Sequence, residues 1–115
     1  MQEVQEAQRQ RLLNIISACI ESFGVAPTEI LSGRAIGVDE VGELWAMRHR
    51  VPLRLFPADW HSHGKAAGPI RNQQMSKNAD ALVLIWDGNS RGSTNMKQIA
   101  QAAKLAIAEM ILEPL

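Results

Sequence analysis

Residues Gly68–Met96 read GPIRNQQMSKNADALVLIWDGNSRGSTNM, and the middle of this stretch decides the fold class. The run Ala81-Leu82-Val83-Leu84-Ile85-Trp86 is apolar without alternation, the pattern of a parallel strand buried on both faces. Ahead of it, Gly68-Pro69 opens a helix, because proline is preorganised for the first helical turn. Behind it, Asp87–Thr94 is a loop dense in Gly, Asp, Ser and Arg. An amphipathic pattern then resumes at Met96, Ile99, Ala100 and Ala103, capped by Ser93 or Thr94. Helix, strand, loop and helix in this order predict an α/β domain with a mostly parallel sheet. In such sheets ligands bind beyond the carboxyl ends of the strands, where a loop feeds a helix N-terminus.

Working outward, the same alternation continues. Leu12, Ile15, Ile16, Cys19, Ile20 and Phe23 recur at helical spacing from Arg11 onward, with Gly24 as the stop signal. Cys19 lies on that apolar stripe and reads as a small buried hydrophobe, not a reactive thiol. Glu29–Ser32 is a short strand, followed by a helix whose apolar positions are Val38, Val41, Trp45 and Ala46. Val51–Pro57 alternates in the manner of an edge strand. Ala58–Gly68 reads as a long loop, the kind that in a compact domain is functional or mobile. Asp59, His61 and His63 within it form a poor zinc signature, and hydrogen-bonding histidines are the default. Ile70 and Met75 fall on the inward side of the next helix, with Arg71 and Asn72 in its first turn. Beyond Lys104 the chain reads either as a closing strand, Leu105–Leu112, or as a continuation of the helix, since no Gly or Pro intervenes before Pro114.

At 115 residues the chain makes one domain, with 46% hydrophobic and 21% charged residues, an ordinary globular balance. No apolar run approaches the ~20 residues of a membrane span. The opening MQEVQEAQRQR has no apolar core of a signal peptide. One cysteine excludes an internal disulfide, and the expectation is a cytoplasmic protein with no membrane partner. The net charge is zero but uneven: Met1–Met47 holds three Lys/Arg against seven Asp/Glu, and Arg48–Lys97 holds eight against three. The positive half favours an anionic ligand. Five aromatics and no tyrosine offer little for base stacking, so nucleic acid is not signalled.

Three strand-to-helix junctions carry polar loops, at Ser32–Asp39, Asp59–Asn72 and Asp87–Asn95. In a parallel sheet all three share one edge. The candidate ligand-binding residues there are Ser32, Gly33, Gly37, Asp39, Gly68, Arg71, Asn72, Asp87, Gly88, Ser90, Arg91, Gly92, Ser93 and Asn95. Glycines let backbone N–H groups approach phosphate, arginines pair with it, and hydroxyls and carboxylates suit ribose. An arginine near a helix N-terminus opposes the macrodipole, so Arg71 is not placed for helix stability. No nucleophile–base constellation and no metal or cofactor site is legible, and the residues speak for binding more than for catalysis.

The segments SGRAIGVD, FPADW, GKAAGPIRNQQM, ADALVLIWDG and SRGSTNM, in this order, resemble the YspA-type, cpYpsA-related branch of the SLOG superfamily. That superfamily groups Rossmann-like domains related to the DNA-processing protein DprA and the Lonely Guy phosphoribohydrolases. The resemblance spans roughly Ile30 to Ala103. It implies a small three-layer Rossmann-like domain that binds or senses a nucleotide or nucleotide-derived ligand. The alternatives it leaves are a nucleoside 5′-monophosphate N-glycosidase and a DprA-like nucleic-acid-associated module. Arg71-Asn72-Gln73-Gln74-Met75 resembles the hydrolases' Arg-Lys-x-x-Met, which would make Arg71 the residue to test in an enzyme. Their catalytic glutamate falls at Asn95 or Met96, neither of which exchanges a proton. Arg34 stands where the branch usually has Gly, and Ser93 where it has Thr. Relatives begin with a strand ahead of their first helix. Without it, the flanking strands close up, the C-terminal segment substitutes, or a second chain completes the sheet. The last route predicts a homodimer.

Overall fold

A computed structural model describes residues 6–34 and 38–112. The first helix, α1 (Glu6–Ser22), begins earlier than its apolar stripe, because Glu6, Arg9 and Gln10 extend it with solvated side chains. Glu6 pairs with Arg9 one turn on at 2.9 Å. Strand β1 (Ile30–Ser32), helix α2 (Val38–Arg48) and strand β2 (Leu53–Leu55) follow. Ala58–Gly68 is not the expected irregular loop. Asp59 accepts the Ser62 backbone N–H at 3.1 Å and caps a short helix, α3 (Trp60–His63). A 3-10 turn, Gly64–Ala66, then leads directly into α4 (Ala67–Lys77). Arg71 and Asn72 therefore lie beyond the first turn of α4, and Ile70 is 36% exposed, not inward.

β3 (Ala81–Trp86), α5 (Arg91–Ala102) and β4 (Ala106–Ile111) complete the chain. The segment after Lys104 is thus a strand. What stops α5 is Lys104 itself, which takes φ 60° in the left-handed region. Its N–H donates to Gln101 O, and the Leu105 N–H reaches back to Ala100 O, the two bonds of a Schellman cap. Arg50, at φ 56°, ends α2 in the same way, with bonds to Met47 O from itself and to Ala46 O from Val51. Both stops lack the glycine that would have signalled them.

The strands form two parallel pairs and not one sheet. β1 pairs with β2 from Ile30↔Leu53 to Ser32↔Leu55, and β3 pairs with β4 from Ala81↔Ala106 to Trp86↔Ile111. The apolar run of β3 is consequently paired along one edge, and Ala81, Leu82 and Val83 stay half-buried despite their unbroken hydrophobicity. α1 packs on α2, and α4 on α5. The buried core joins Leu13, Ile16 and Ile20 of α1 to Val41 and Trp45 of α2 and Ile85 of β3. Trp45 anchors it: its Nε1 donates to Ser17 Oγ at 2.8 Å, and its ring stacks on His49 at 4.0 Å. Cys19 is buried in α1, and burial pushes its thiol pKa up. Among the described residues no helix is long and apolar enough to cross a membrane.

Candidate functional site

Between the two strand pairs lies a cavity of about 680 Å³, within the size range of small-molecule sites. Its carboxyl end is built by the three junctions. Ser32, at the end of β1, is 4% exposed and donates to Glu43 Oε2 at 2.6 Å. Glu43 sits one turn after Asp39 on α2 and also pairs with Arg34 at 2.6 Å. Arg34 adopts φ 64°, the conformation that favours the glycine expected there, and its ion pair with Glu43 and its N–H to Ser32 Oγ hold it.

Arg71 reaches across from α4. Its Nη1 donates to the Gly33 carbonyl and its Nε to Asn72 Oδ1 at 2.9 Å. A Cβ on residue 33 would stand 2.8 Å from that Nη1 and 3.1 Å from Cζ, so glycine is what lets the guanidinium settle against β1. Asn72, 6% exposed, donates to Asn95 Oδ1 at 2.9 Å and to Gly92 O at 3.4 Å, tying α4 to the first turns of α5. The α5 N-terminus is capped by Ser90, whose side chain accepts from Ser93 N. The Asp87 carboxylate accepts the N–H groups of Asn89 at 2.8 Å and Ser90 at 3.1 Å, which hold its pKa below the usual carboxylate range. Gly88, at φ 88°, makes the reversal that this requires.

Of the residues singled out in sequence, Ser32, Gly33, Asp39, Arg71, Asn72, Ser90, Gly92 and Ser93 line the cavity. Asn95 sits behind it as the partner of Asn72. Asp87 and Gly88 shape the loop from outside, with Gly88 facing Ile111 of β4. Gly68 is buried beneath Trp60, and Arg91 is exposed at the start of α5. Gly37 lies outside the described residues. Of Asn95 and Met96, the two positions where the resemblance puts the hydrolase glutamate, Met96 lines the cavity, as does Met75. Asp59 is a helix cap, and among the described residues no three His, Cys, Asp or Glu side chains gather to hold a metal.

Sequence reading missed Glu43, whose only signal was its i,i+4 spacing from Asp39 on one helix face. It also missed the Lys97–Glu109–Trp86 cluster beside β3. There Glu109 accepts from Trp86 Nε1 at 2.7 Å and pairs with Lys97 at 2.9 Å. Those bonds, Lys97 foremost, lower the Glu109 pKa.

The chain is 33% identical over 84 residues to the Gene 61 protein of Mycobacterium phage D29, covering 68% of this chain and 67% of the phage protein. No protein-family profile and no solved structure matches it.

Proposed function

This chain belongs to the family of the Gene 61 protein of Mycobacterium phage D29, and from the carboxyl end of its cavity we propose that it binds a nucleotide or nucleotide-derived ligand. The observation that carries this is that Arg71, held on the Gly33 carbonyl, and the N-terminal residues of α5 line the same cavity. The guanidinium is held by its Nη1 and Nε, and a guanidinium has five N–H donors in all. The leading N–H groups of a helix have no intrahelical acceptor and carry positive partial charge. A phosphate seated between them would meet two independent sources of anion affinity. Asp39 and Ser93 also line the cavity and offer it a carboxylate and a hydroxyl, the groups that suit ribose.

This reading places the chain with the SLOG-type Rossmann-like domains, as a three-layer arrangement acting in the cytoplasm. It makes the protein a receptor in preference to a phosphoribohydrolase, since neither Asn95 nor Met96 supplies a proton to a glycosidic bond. The test is thermal shift with AMP, ADP-ribose, NAD and single-stranded DNA. A ligand at 100 times its Kd stabilises by ~2.7 kcal/mol, and the expected shift is lost in Arg71→Ala. A melt moved by single-stranded DNA and by no nucleotide would instead favour a nucleic-acid-associated module. Release of free base from AMP, abolished by Arg71→Ala, would restore the enzyme reading.

A further inference from the structure

Of the three tryptophans, Trp45 is buried and Trp86 half-buried, whereas Trp60 is 60% exposed. Trp60 opens α3, a single turn fixed at its start by Asp59. The Asp59 carboxylate accepts the Ser62 N–H at 3.1 Å, and its carbonyl accepts the His63 N–H at 3.0 Å. This capped turn holds the indole in place without burying it. An indole carries one of the largest apolar surfaces of any side chain, and most of this one faces solvent.

Beside that ring lies the guanidinium of Arg71. A Cβ placed on Gly68 would stand 3.5 Å from Trp60 Cη2 and 3.9 Å from Arg71 Nη2. Its chain neighbours and its own helix backbone aside, those would be its only contacts within 4 Å. The indole edge and the guanidinium therefore meet over Gly68. The three nitrogens of Arg71 differ in what they hold. Nη1 donates to the Gly33 carbonyl and Nε to Asn72 Oδ1, while Nη2 has no acceptor among the described residues. The nitrogen with two uncommitted N–H donors is thus the one beside Trp60. Gly68 lies in α4, where glycine is less stable than alanine, and a Cβ there would make only ordinary contacts. Neither backbone nor packing calls for glycine at this position. What it keeps open is the corner between the indole and Nη2.

We propose that Trp60 is the stacking platform for the heteroaromatic base of a ligand whose phosphate is held by Arg71, which makes the ligand a 5′-nucleotide, purine in preference to pyrimidine. This rests on the nucleotide reading of the site. With phosphate on Nη2 and base on the indole, the ribose lies between them. The flat face of an aromatic ring accepts any base, because every base has a π-face. Indole has one N–H donor and no acceptor, so it selects for ring area and not for base identity. A purine covers more of it than a pyrimidine does. Four residues of one stretch then act together: Asp59 as cap, Trp60 as platform, Gly68 as gap and Arg71 as phosphate donor.

The experiment measures affinities for AMP, UMP and ribose 5-phosphate by calorimetric titration, together with acrylamide quenching of tryptophan fluorescence. It compares the unaltered chain with Trp60→Phe, Trp60→Leu and Arg71→Ala. AMP is expected to bind about tenfold or more tighter than ribose 5-phosphate, with UMP between them. AMP, and not ribose 5-phosphate, should shield the exposed tryptophan from acrylamide. Trp60→Leu, which keeps bulk without a π-face, should bring AMP down to the level of ribose 5-phosphate. Trp60→Phe should retain most of the preference and lose the shielding signal, and Arg71→Ala should weaken all three ligands. A preference for AMP that survives in Trp60→Leu would overturn the proposal. So would equal, Arg71-dependent binding of AMP and ribose 5-phosphate, which would leave the phosphate site standing. No Arg71-dependent binding of any of the three would overturn the site reading and this proposal with it. Shielding of Trp60 by single-stranded DNA and not by AMP would overturn it in favour of a strand-binding surface.

Discussion

The single residue on which the site turns is Gly33, because its missing Cβ is what admits the Arg71 guanidinium. In Gly33→Ala the guanidinium must move, and since its tip is flexible the fold tolerates the change. Melting should therefore shift little. Nucleotide affinity should fall about tenfold or more, the scale of one misplaced charge-assisted hydrogen bond, measurable by calorimetric titration. Asp87 makes a separate prediction. Its depressed pKa comes from the Asn89 and Ser90 N–H groups, so its contribution is present above the unfolded carboxylate pKa and is lost as pH falls through the folded value. The Asn89 and Ser90 amide resonances should titrate together on acidification, below the ordinary carboxylate range, and Asp87→Asn should remove that step. These residue identities were legible as a polar, glycine-rich edge. Their pairings were not, because Arg71 to Gly33 and Asn72 to Asn95 join segments 38 and 23 residues apart.

At the level of elements, the helices were readable from spacing and their ends were not. The apolar periods of α1, α2 and α5 mark which faces pack, since a stripe at steps of three and four must be buried somewhere. Yet α2 and α5 stop on Arg50 and Lys104, residues with no intrinsic preference for positive φ. The left-handed conformation costs an ordinary residue roughly 1–2 kcal/mol. Lys104→Gly and Arg50→Gly should therefore each stabilise the protein by about 1 kcal/mol, seen as a higher urea midpoint at constant slope. A lower midpoint would mean that the side chains make contacts worth more than the backbone relief. Trp45 sits where α1 and α2 meet, 5% exposed and bonded to Ser17. Trp45→Phe should cost about 1 kcal/mol for the lost hydrogen bond, and Trp45→Ala about 3–5 kcal/mol, close to the whole stability of a small domain.

Across the whole molecule the radius of gyration, 13.6 Å, is that of a folded domain of this length. The cavity is therefore a gap inside a compact chain and not a separation of loose halves. None of the larger side chains among the described residues is fully buried, as expected of a core that opens onto a slot. The sequence by itself determined the α/β class, the parallel sense of the strands, and the gathering of Ser32, Arg71 and Ser93 at one end. Periodicity and chain direction are local properties, and strand-to-helix alternation leaves few other arrangements. Only the tertiary structure decided that Ala81–Trp86 is paired on one edge, that Ala106–Ile111 closes on it as a strand, and that β1 and β3 stand apart. Strand neighbours are chosen by non-local pairing. An unbroken apolar run says that both faces prefer burial but not which segment, if any, lies at each edge.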